Sequence, residues 1–144
     1  DMPAMRRLMK ISEGMSVAFH RAFDYVRSPE QVLEHLIDLG VNRVLTSGQQ
    51  PTAMQGASLL AELVRQAAGR IVIMPGCGVN EWNIAELAAC TGASEFHFSA
   101  RELKESKMLL RNPALSMGSS DQDEYAHPVT TAERVRHTIQ ALSK

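Results

Sequence analysis

Three polar side chains, His20, Arg21 and Asp24, are the most distinctive candidates for chemistry in this sequence. The imidazole of His20 can act as a general acid or base near neutral pH, or it can ligate a metal. The guanidinium of Arg21 can bind a phosphate or a carboxylate through two parallel hydrogen bonds. An internal pair of Asp24 with Arg21 or His20 explains the same residues equally well. We therefore treat His20, Arg21 and Asp24 as hypothetical catalytic residues.

Two further segments carry the residue types that bind anions. Thr46 and Ser47 precede Gly48, and small hydroxyls beside a free backbone N–H suit an anion. Capping of the following turn explains these residues better when they are taken alone. Residues 76–78 form a glycine corner before a helical segment that contains Asn83. The N-terminus of a helix after such a corner binds phosphate through its backbone N–H groups.

His97 and Ser99 complete the candidate set, and they share one face of a strand if the alternation of residues 95–99 holds. A histidine inside a barrel more often satisfies internal hydrogen bonds than it binds a metal. The predicted anion-binding residues are Thr46, Ser47, Gly48, Gly76, Gly78, Asn83, His97, Ser99 and Arg101.

Cu(I) is the metal that this sequence would suit, because Cys77 and Met74 carry soft sulfur ligands and His97 carries an imidazole. The predicted metal ligands are therefore Cys77, Met74 and His97. A tolerated small residue between two glycines is the better explanation of Cys77 by itself.

Four strand-like segments must position these residues, at 16–20, 43–47, 71–75 and 95–99. Loops and helix-like stretches separate them, and this βα rhythm predicts parallel strands with helical crossovers. Because ligands in parallel α/β folds bind where the strands end, the candidate residues are expected to meet at one rim. A closed eight-stranded barrel takes about 250 residues, so four units form a half barrel, a barrel completed by two copies, or an open sheet.

Helices are predicted over residues 2–12, 56–68 and 81–91, after Ser28, and after Thr131 near the end of the chain. Asn80 is the expected N-cap of the fourth helix. The last helix is expected to bury Val135, Ile139 and Leu142. Residues 101–129 show little periodicity and are predicted to form a long basic loop, either a solvated lid or a clamp on an anionic ligand. Glu95 is expected to pair with Arg43 at the opposite end of the strands.

Composition narrows the class of protein further. The 144 residues are enough for one domain, with 44% apolar and 22% charged residues. The net charge of −1 predicts no broad attraction to nucleic acid or to a membrane, and no apolar run approaches the ~20 residues of a membrane span. Two cysteines without a spaced framework suit the reducing cytoplasm. The absence of an initiator Met suits a fragment of a longer chain.

Five segments of the sequence together resemble the CutC family of copper homeostasis proteins. They are VAFHRAFD, RVLTSGQ, RIVIMPGCGV with Asn83 following, EFHFSAR and RNPALSMGSSDQDEY, in family order. The resemblance covers essentially the whole chain. It implies an α/β fold of parallel βα repeats, here four strands of a TIM-type (β/α)8 barrel, a half barrel with helices on the outside. Residues 1–144 would form a single domain equivalent to the second half of that barrel, and the first half would be absent.

The resemblance implies a cytosolic protein of copper handling that binds Cu(I). The family's proposed copper-binding cysteines lie mainly in the first half, and Cys77 stands where the family usually carries glycine or alanine. One alternative is a TIM-barrel enzyme acting on a small anionic sugar or phosphate metabolite at the rim. Another is a noncatalytic truncated product stabilised by association. The expected partners are a copper ion or a small anionic ligand and a second copy of the chain, with neither nucleic acid nor membrane.

Overall fold

A computed structural model describes residues 1–112, 114–115 and 123–143. Its elements are α1 (Met2–Ile11), β1 (Ala18–Phe19), a 3₁₀ helix (Arg21–Tyr25), α2 (Pro29–Asp38), β2 (Arg43–Thr46), α3 (Ala57–Ala67), β3 (Val72–Pro75), α4 (Ile84–Thr91), β4 (Arg101–Glu105), β5 (Ala126–Thr130) and α5 (Ala132–Leu142). No helix among these residues is long and apolar enough to cross a membrane.

The first three strands form a parallel sheet in the order β1-β2-β3, as the βα rhythm predicts. The predicted fourth strand at 95–99 is wrong as an extended strand, because among the described residues it pairs only through a parallel bridge between Gly76 and His97. There the backbone N–H of His97 donates to the carbonyl of Pro75 at 2.9 Å. Ala100 then adopts a left-handed conformation with φ +46°, which turns the chain into the next element.

The long loop predicted over residues 101–129 is also wrong, because β4 and β5 form an antiparallel hairpin. Every residue of β4 is exposed, so the hairpin has no apolar alternation that would reveal it in the sequence. The segment at 111–125 that contributes to the family resemblance lies partly outside the described residues.

Helix boundaries follow the sequence signals with two corrections. α4 begins after Asn83 rather than after Asn80, because the side chain of Asn80 accepts a hydrogen bond from the backbone N–H of Trp82 in the preceding turn. α5 buries Thr138, whereas Ile139 is 54% exposed and Leu142 is 42% exposed. The hydroxyl of Thr138 is satisfied because it donates to the carbonyl of Arg134 at 2.8 Å, so its burial leaves no unpaired polar group.

The core lies between one face of the sheet and the helices, and apolar side chains from every layer meet there. Its fully buried members include Phe23, Leu33, Val44, Leu60, Leu63, Ile84 and Leu87. Phe96 and Phe98 pack against this core, as the alternation predicts. On the opposite face, the expected ion pair joins Nε of Arg43 to Oε2 of Glu95 at 3.0 Å. This packing holds the carboxyl ends of the strands together at one edge.

Candidate functional site

Asp24 organises the corner after β1 through hydrogen bonds to two segments of the chain. Its carboxylate accepts from Nε of Arg21 at 2.6 Å and from the hydroxyl of Thr46 at 2.5 Å. The backbone N–H groups of Ser47 and Gln49 donate to the same carboxylate. Burial alone would raise the pKa of Asp24, but the hydrogen bonds from Thr46, Arg21, Gln49 and Ser47 outweigh it and hold the pKa below the usual range. Asp24 is therefore a stable anion that fixes the corner.

The hydroxyls after β2 belong to the same network. Thr46 and Ser47 are fully buried, and the hydroxyl of Thr46 also accepts from the backbone N–H of Gly48 at 3.0 Å. The hydroxyl of Ser47 contacts the carbonyl of Gln50 at 2.6 Å and accepts from Nη2 of Arg21 at 2.9 Å. The hydroxyls of Thr46 and Ser47 thus form hydrogen bonds within the protein, as they would if they capped a turn.

His20 lies at the start of the 3₁₀ helix, where it acts as a cap. Its Nδ1 accepts a hydrogen bond from the backbone N–H of Ala22 at 3.0 Å, and its ring stacks on that of Phe19 at 5.5 Å. A neutral His20 therefore carries its proton on Nε2. The side chain is exposed, and its catalytic role stays a prediction.

The glycine corner after β3 brings the chain close to two neighbouring segments. A Cβ at Gly76 would lie 2.5 Å from Cδ1 of Leu45 and 3.3 Å from Cβ of His97, so a side chain here would force the Leu45 side chain to shift. Asn83 supports the corner, because its Nδ2 donates to the carbonyl of Gly78 at 2.8 Å and its Oδ1 accepts from the backbone N–H of Asn80. The side chain of Asn83 thus holds the backbone of the glycine corner in place.

A cavity of about 430 Å³ opens at the carboxyl ends of the strands, and we call it the rim cavity. It brings together six predicted residues, Arg21, Cys77, Gly78, His97, Ser99 and Arg101. The rest of its lining was not among the predicted site residues and comprises Leu45, Val79, Asn80, Phe98, Ala100 and Arg134. His20, Asp24, Thr46, Ser47, Gly48, Gly76, Asn83 and Met74 are outside this lining.

Some polar groups of the rim cavity have hydrogen-bond partners within the protein, and others have none among the described residues. Arg21 is held by Asp24, whose hydrogen bond raises the pKa of the guanidinium. In the described part of the chain, neither Arg101 nor His97 makes a side-chain hydrogen bond or ion pair. Among the same residues, the backbone N–H groups of Gly78 and Val79 donate to no protein acceptor. The cavity therefore offers a free cation, an imidazole and backbone donors to a bound molecule.

Arg134 also lines the rim cavity, although no sequence motif marks it as a candidate. It lies in the first turn of α5 and binds the carboxylate of Glu81 through two hydrogen bonds of 3.1 and 2.9 Å. Its Nη1 donates to the carbonyl of Arg101 at 2.6 Å, and its guanidinium lies 5.1 Å from the ring centre of Trp82. The hydrogen bond from Arg134 lowers the pKa of Glu81. No charge pattern in the sequence of α5 points to Glu81 as a partner.

Comparison with known proteins identifies the family of this chain. The family model described as the CutC family matches residues 1–102. The chain belongs to the CutC family. A CutC family protein of Bacteroides thetaiotaomicron is 57% identical over 143 residues, which cover 99% of this chain and 57% of that protein. The CutC family protein of Chromobacterium violaceum is 49% identical over 144 residues, which cover 100% of this chain and 58% of that protein.

Structure comparison agrees with this assignment. The crystal structure of CutC from Streptococcus agalactiae, whose name refers to copper homeostasis, superposes with a TM-score of 0.64 at 29% identity. The superposition covers 67% of this chain and 48% of that one. The chain thus spans little more than half the length of the relatives it matches.

The copper ligands predicted for this CutC chain are only partly brought together. Cys77 and His97 both line the rim cavity, whereas Met74 does not. The thiol of Cys77 contacts the carbonyl of Pro51 at 3.0 Å. Within the described residues, no group of three or more His, Cys, Asp or Glu side chains is arranged to hold a metal ion. Both cysteines are free thiols.

Proposed function

We propose that this chain is part of a cytosolic CutC-type protein of copper homeostasis whose rim cavity binds a small anionic metabolite, such as a sugar phosphate. The name of the Streptococcus agalactiae protein supports the role in copper homeostasis. The observation that carries the binding proposal is Arg101, a cation without a partner among the described residues, which lines the same cavity as Gly78 and Val79 with their unused backbone N–H groups. Free thiols at Cys77 and Cys90 suit a reducing compartment.

The location and volume of the cavity support a small-molecule ligand, and its charge supports an anionic one. It lies where three parallel strands end, which is where ligands bind in parallel α/β folds. Its volume of about 430 Å³ falls in the range of small-molecule sites. Arg21 and Arg134 have carboxylate partners in Asp24 and Glu81, so Arg101 supplies the unbalanced positive charge.

Titration with inorganic phosphate tests this proposal. We expect Arg101→Gln to weaken phosphate binding at least about tenfold, because a hydrogen bond to a charged group contributes roughly 1.5–3 kcal/mol. Lys104→Gln is the matched control, since Lys104 is exposed on the same strand and lies outside the cavity lining. Chemical shift changes of the Gly78 and Ser99 amides report binding at the site. Equal phosphate affinity of the parent and Arg101→Gln would contradict the proposal.

If the cavity carries out a reaction, two histidines are candidates for the acid–base group. His97 lies in the cavity lining, and its ring makes no hydrogen bond to another described residue. His20 uses Nδ1 to cap the 3₁₀ helix but exposes its other ring nitrogen. We expect His97→Ala to reduce turnover of a phosphorylated sugar more than His20→Ala does. The reverse order would assign the chemistry to the corner after β1.

Direct Cu(I) binding is the second candidate function, and the presence of Cys77 and His97 in one cavity favours it. A thiolate and an imidazole can ligate Cu(I), and the thioether of Met74 on β3 would be the third ligand. Titration against a competing Cu(I) chelator tests this with Cys77→Ser. Cys90→Ser is the control, because Cys90 is exposed on α4, outside the cavity lining. Loss of Cu(I) binding in Cys77→Ser alone would support the site. Equal and weak Cu(I) binding by both variants would contradict it.

A further inference from the structure

The rim cavity has two walls that come from different parts of the chain. One wall is the glycine corner with Gly78 and Val79, and Glu81 follows it directly. The other wall runs from His97 to Arg101. The sheet joins the two walls near their base, through the single bridge between Gly76 and His97. A second connection is therefore needed to fix the distance between the donors on the two sides.

Arg134 makes that second connection. Its planar guanidinium binds both oxygens of Glu81 on one side and the carbonyl of Arg101 on the other. The side chains of Arg134 and Glu81 are only 23% and 13% exposed, so solvent screens this pair less than an ion pair on the open surface. A lysine could not reproduce this contact, because an ammonium group lacks the planar fork that meets both partners.

The carbonyl that Arg134 binds belongs to Arg101 itself. Ala100, immediately before it, is buried and left-handed, so the chain turns sharply where the cavity wall passes into the hairpin. The backbone N–H of Thr131 donates to the carbonyl of Ala100, and the hydroxyl of Thr130 donates to that of Ser99. The junction of β5 and α5 thus holds three successive carbonyls of this wall, and Arg134 holds the last of them.

We infer that Arg134 is a positioning residue of the anion site: it joins the two walls of the rim cavity and sets the direction in which Arg101 presents its guanidinium to the ligand. This inference rests on the proposed anion site. Arg134 itself has its charge balanced by Glu81, so it acts through Arg101 and through the wall that carries Gly78.

A double-mutant cycle on the full chain tests this role with inorganic phosphate as the probe. We expect Arg134→Gln and Arg134→Lys each to weaken phosphate binding about tenfold. We expect little further weakening when either is added to Arg101→Lys, because the two residues would act on one interaction. Arg136→Lys is the control, since Arg136 is exposed on the same helix and makes no side-chain hydrogen bond or ion pair among the described residues. Arg134→Lys retains the charge and the alkyl stem, which protects the test against a variant that fails to fold.

The outcomes separate this inference from the proposal on which it rests. Absence of phosphate binding by the folded parent overturns the anion site and this inference with it. Binding by the parent that Arg134→Gln and Arg134→Lys leave unchanged overturns the positioning role alone. A loss that adds in full to that of Arg101→Lys also overturns it, because a purely structural effect does not depend on which side chain stands at position 101.

Discussion

Asp24 is the residue on which the corner after β1 depends. Its side chain is only 5% exposed, and it is surrounded by donors from the 3₁₀ helix and from the end of β2. Burial opposes its ionisation, but this many donors keep the pKa of Asp24 below the usual range. The chain thus uses the polar atoms of Thr46 and Ser47 to hold Arg21 at the edge of the rim cavity.

Stability should depend on the ionisation of Asp24. The folded-state pKa is lowered relative to about 3.9 in the unfolded chain. The unfolded chain therefore binds more protons as the pH falls below about 4, and the stabilisation by Asp24 is full above that pH and is lost below it. We expect Asp24→Asn to lower the free energy of unfolding at pH 7 by about 2 kcal/mol, and the difference from the parent to shrink toward pH 3.

Urea unfolding at pH 7 and at pH 3 measures this effect. Asp38→Asn is the matched control, because Asp38 is exposed on α2 and lies outside the Asp24 network. A constant difference between Asp24→Asn and the parent across this pH range would contradict the prediction.

A side-chain contact could be predicted from the sequence only where residue spacing or the layering of parallel strands indicates it. The Arg21–Asp24 pair follows from a spacing of three residues in one corner. The Arg43–Glu95 pair follows from the layers of a parallel barrel and is confirmed. The contact of Arg134 with Glu81 joins residues 53 positions apart on elements whose packing no sequence motif specifies. This contact therefore depends on tertiary packing that the sequence does not reveal.

At the scale of elements, the loop after β2 and the start of α3 approach each other through two glycines. A Cβ at Gly48 would lie 2.4 Å from the carbonyl oxygen of Gly56, and Gly48 has φ +69°. Backbone atoms occupy the space that a side chain would need, so no rotamer change relieves the clash. This contact fixes where α3 begins relative to the Asp24 corner.

Gly48→Ala should consequently destabilise the protein more than an alanine at another left-handed glycine. Gly40 is the matched control, because it has φ +79° and a Cβ at this position would meet no atom within 4 Å. We expect Gly40→Ala to cost about 1–2 kcal/mol from backbone strain alone. Gly48→Ala should cost a further 1–3 kcal/mol or so because of the clash. Thermal or urea unfolding of both variants measures these costs. Equal losses in the free energy of unfolding would show that the close approach of Gly48 to Gly56 is unimportant.

The parallel strands could be predicted from the sequence, whereas the hairpin could not. The parallel strands β1, β2 and β3 have apolar composition and helices at regular intervals, so their pairing could be predicted. The hairpin of β4 and β5 pairs through its backbone while its side chains stay mostly in solvent. Hydrophobic periodicity cannot report an element that buries no apolar face, and this is why residues 101–129 were predicted to be a loop.

In the molecule as a whole, the described helices pack against one face of the sheet, and the other face, which we call the open face, carries side chains that are only half-buried. Phe19, Val44 and Ile73 pack toward the helices. Leu45 and Met74 lie on the opposite face and are half-buried. Parallel sheets are normally covered on both faces, and this chain spans only 57% of its Bacteroides thetaiotaomicron relative. The open face and the edge of β1 are therefore where further chain, or a second copy, would pack.

This geometry predicts that the isolated chain associates with itself through the open face. We expect light scattering after size exclusion to give a mass above the 15.9 kDa of one chain, rising with concentration. Met74→Lys should shift the mass toward that of a monomer, because a charge on the open face opposes the burial that drives association.

Leu103→Lys on the hairpin is the control, since Leu103 is 76% exposed and lies on the separate two-stranded sheet. Circular dichroism of both variants confirms that they remain folded. A monomeric parent at every concentration would contradict the prediction, and so would an equal loss of mass in the two variants, because only residue 74 belongs to the face that we expect to be covered. Association through this face would also favour a truncated product that is stabilised by a partner over one that is stable alone.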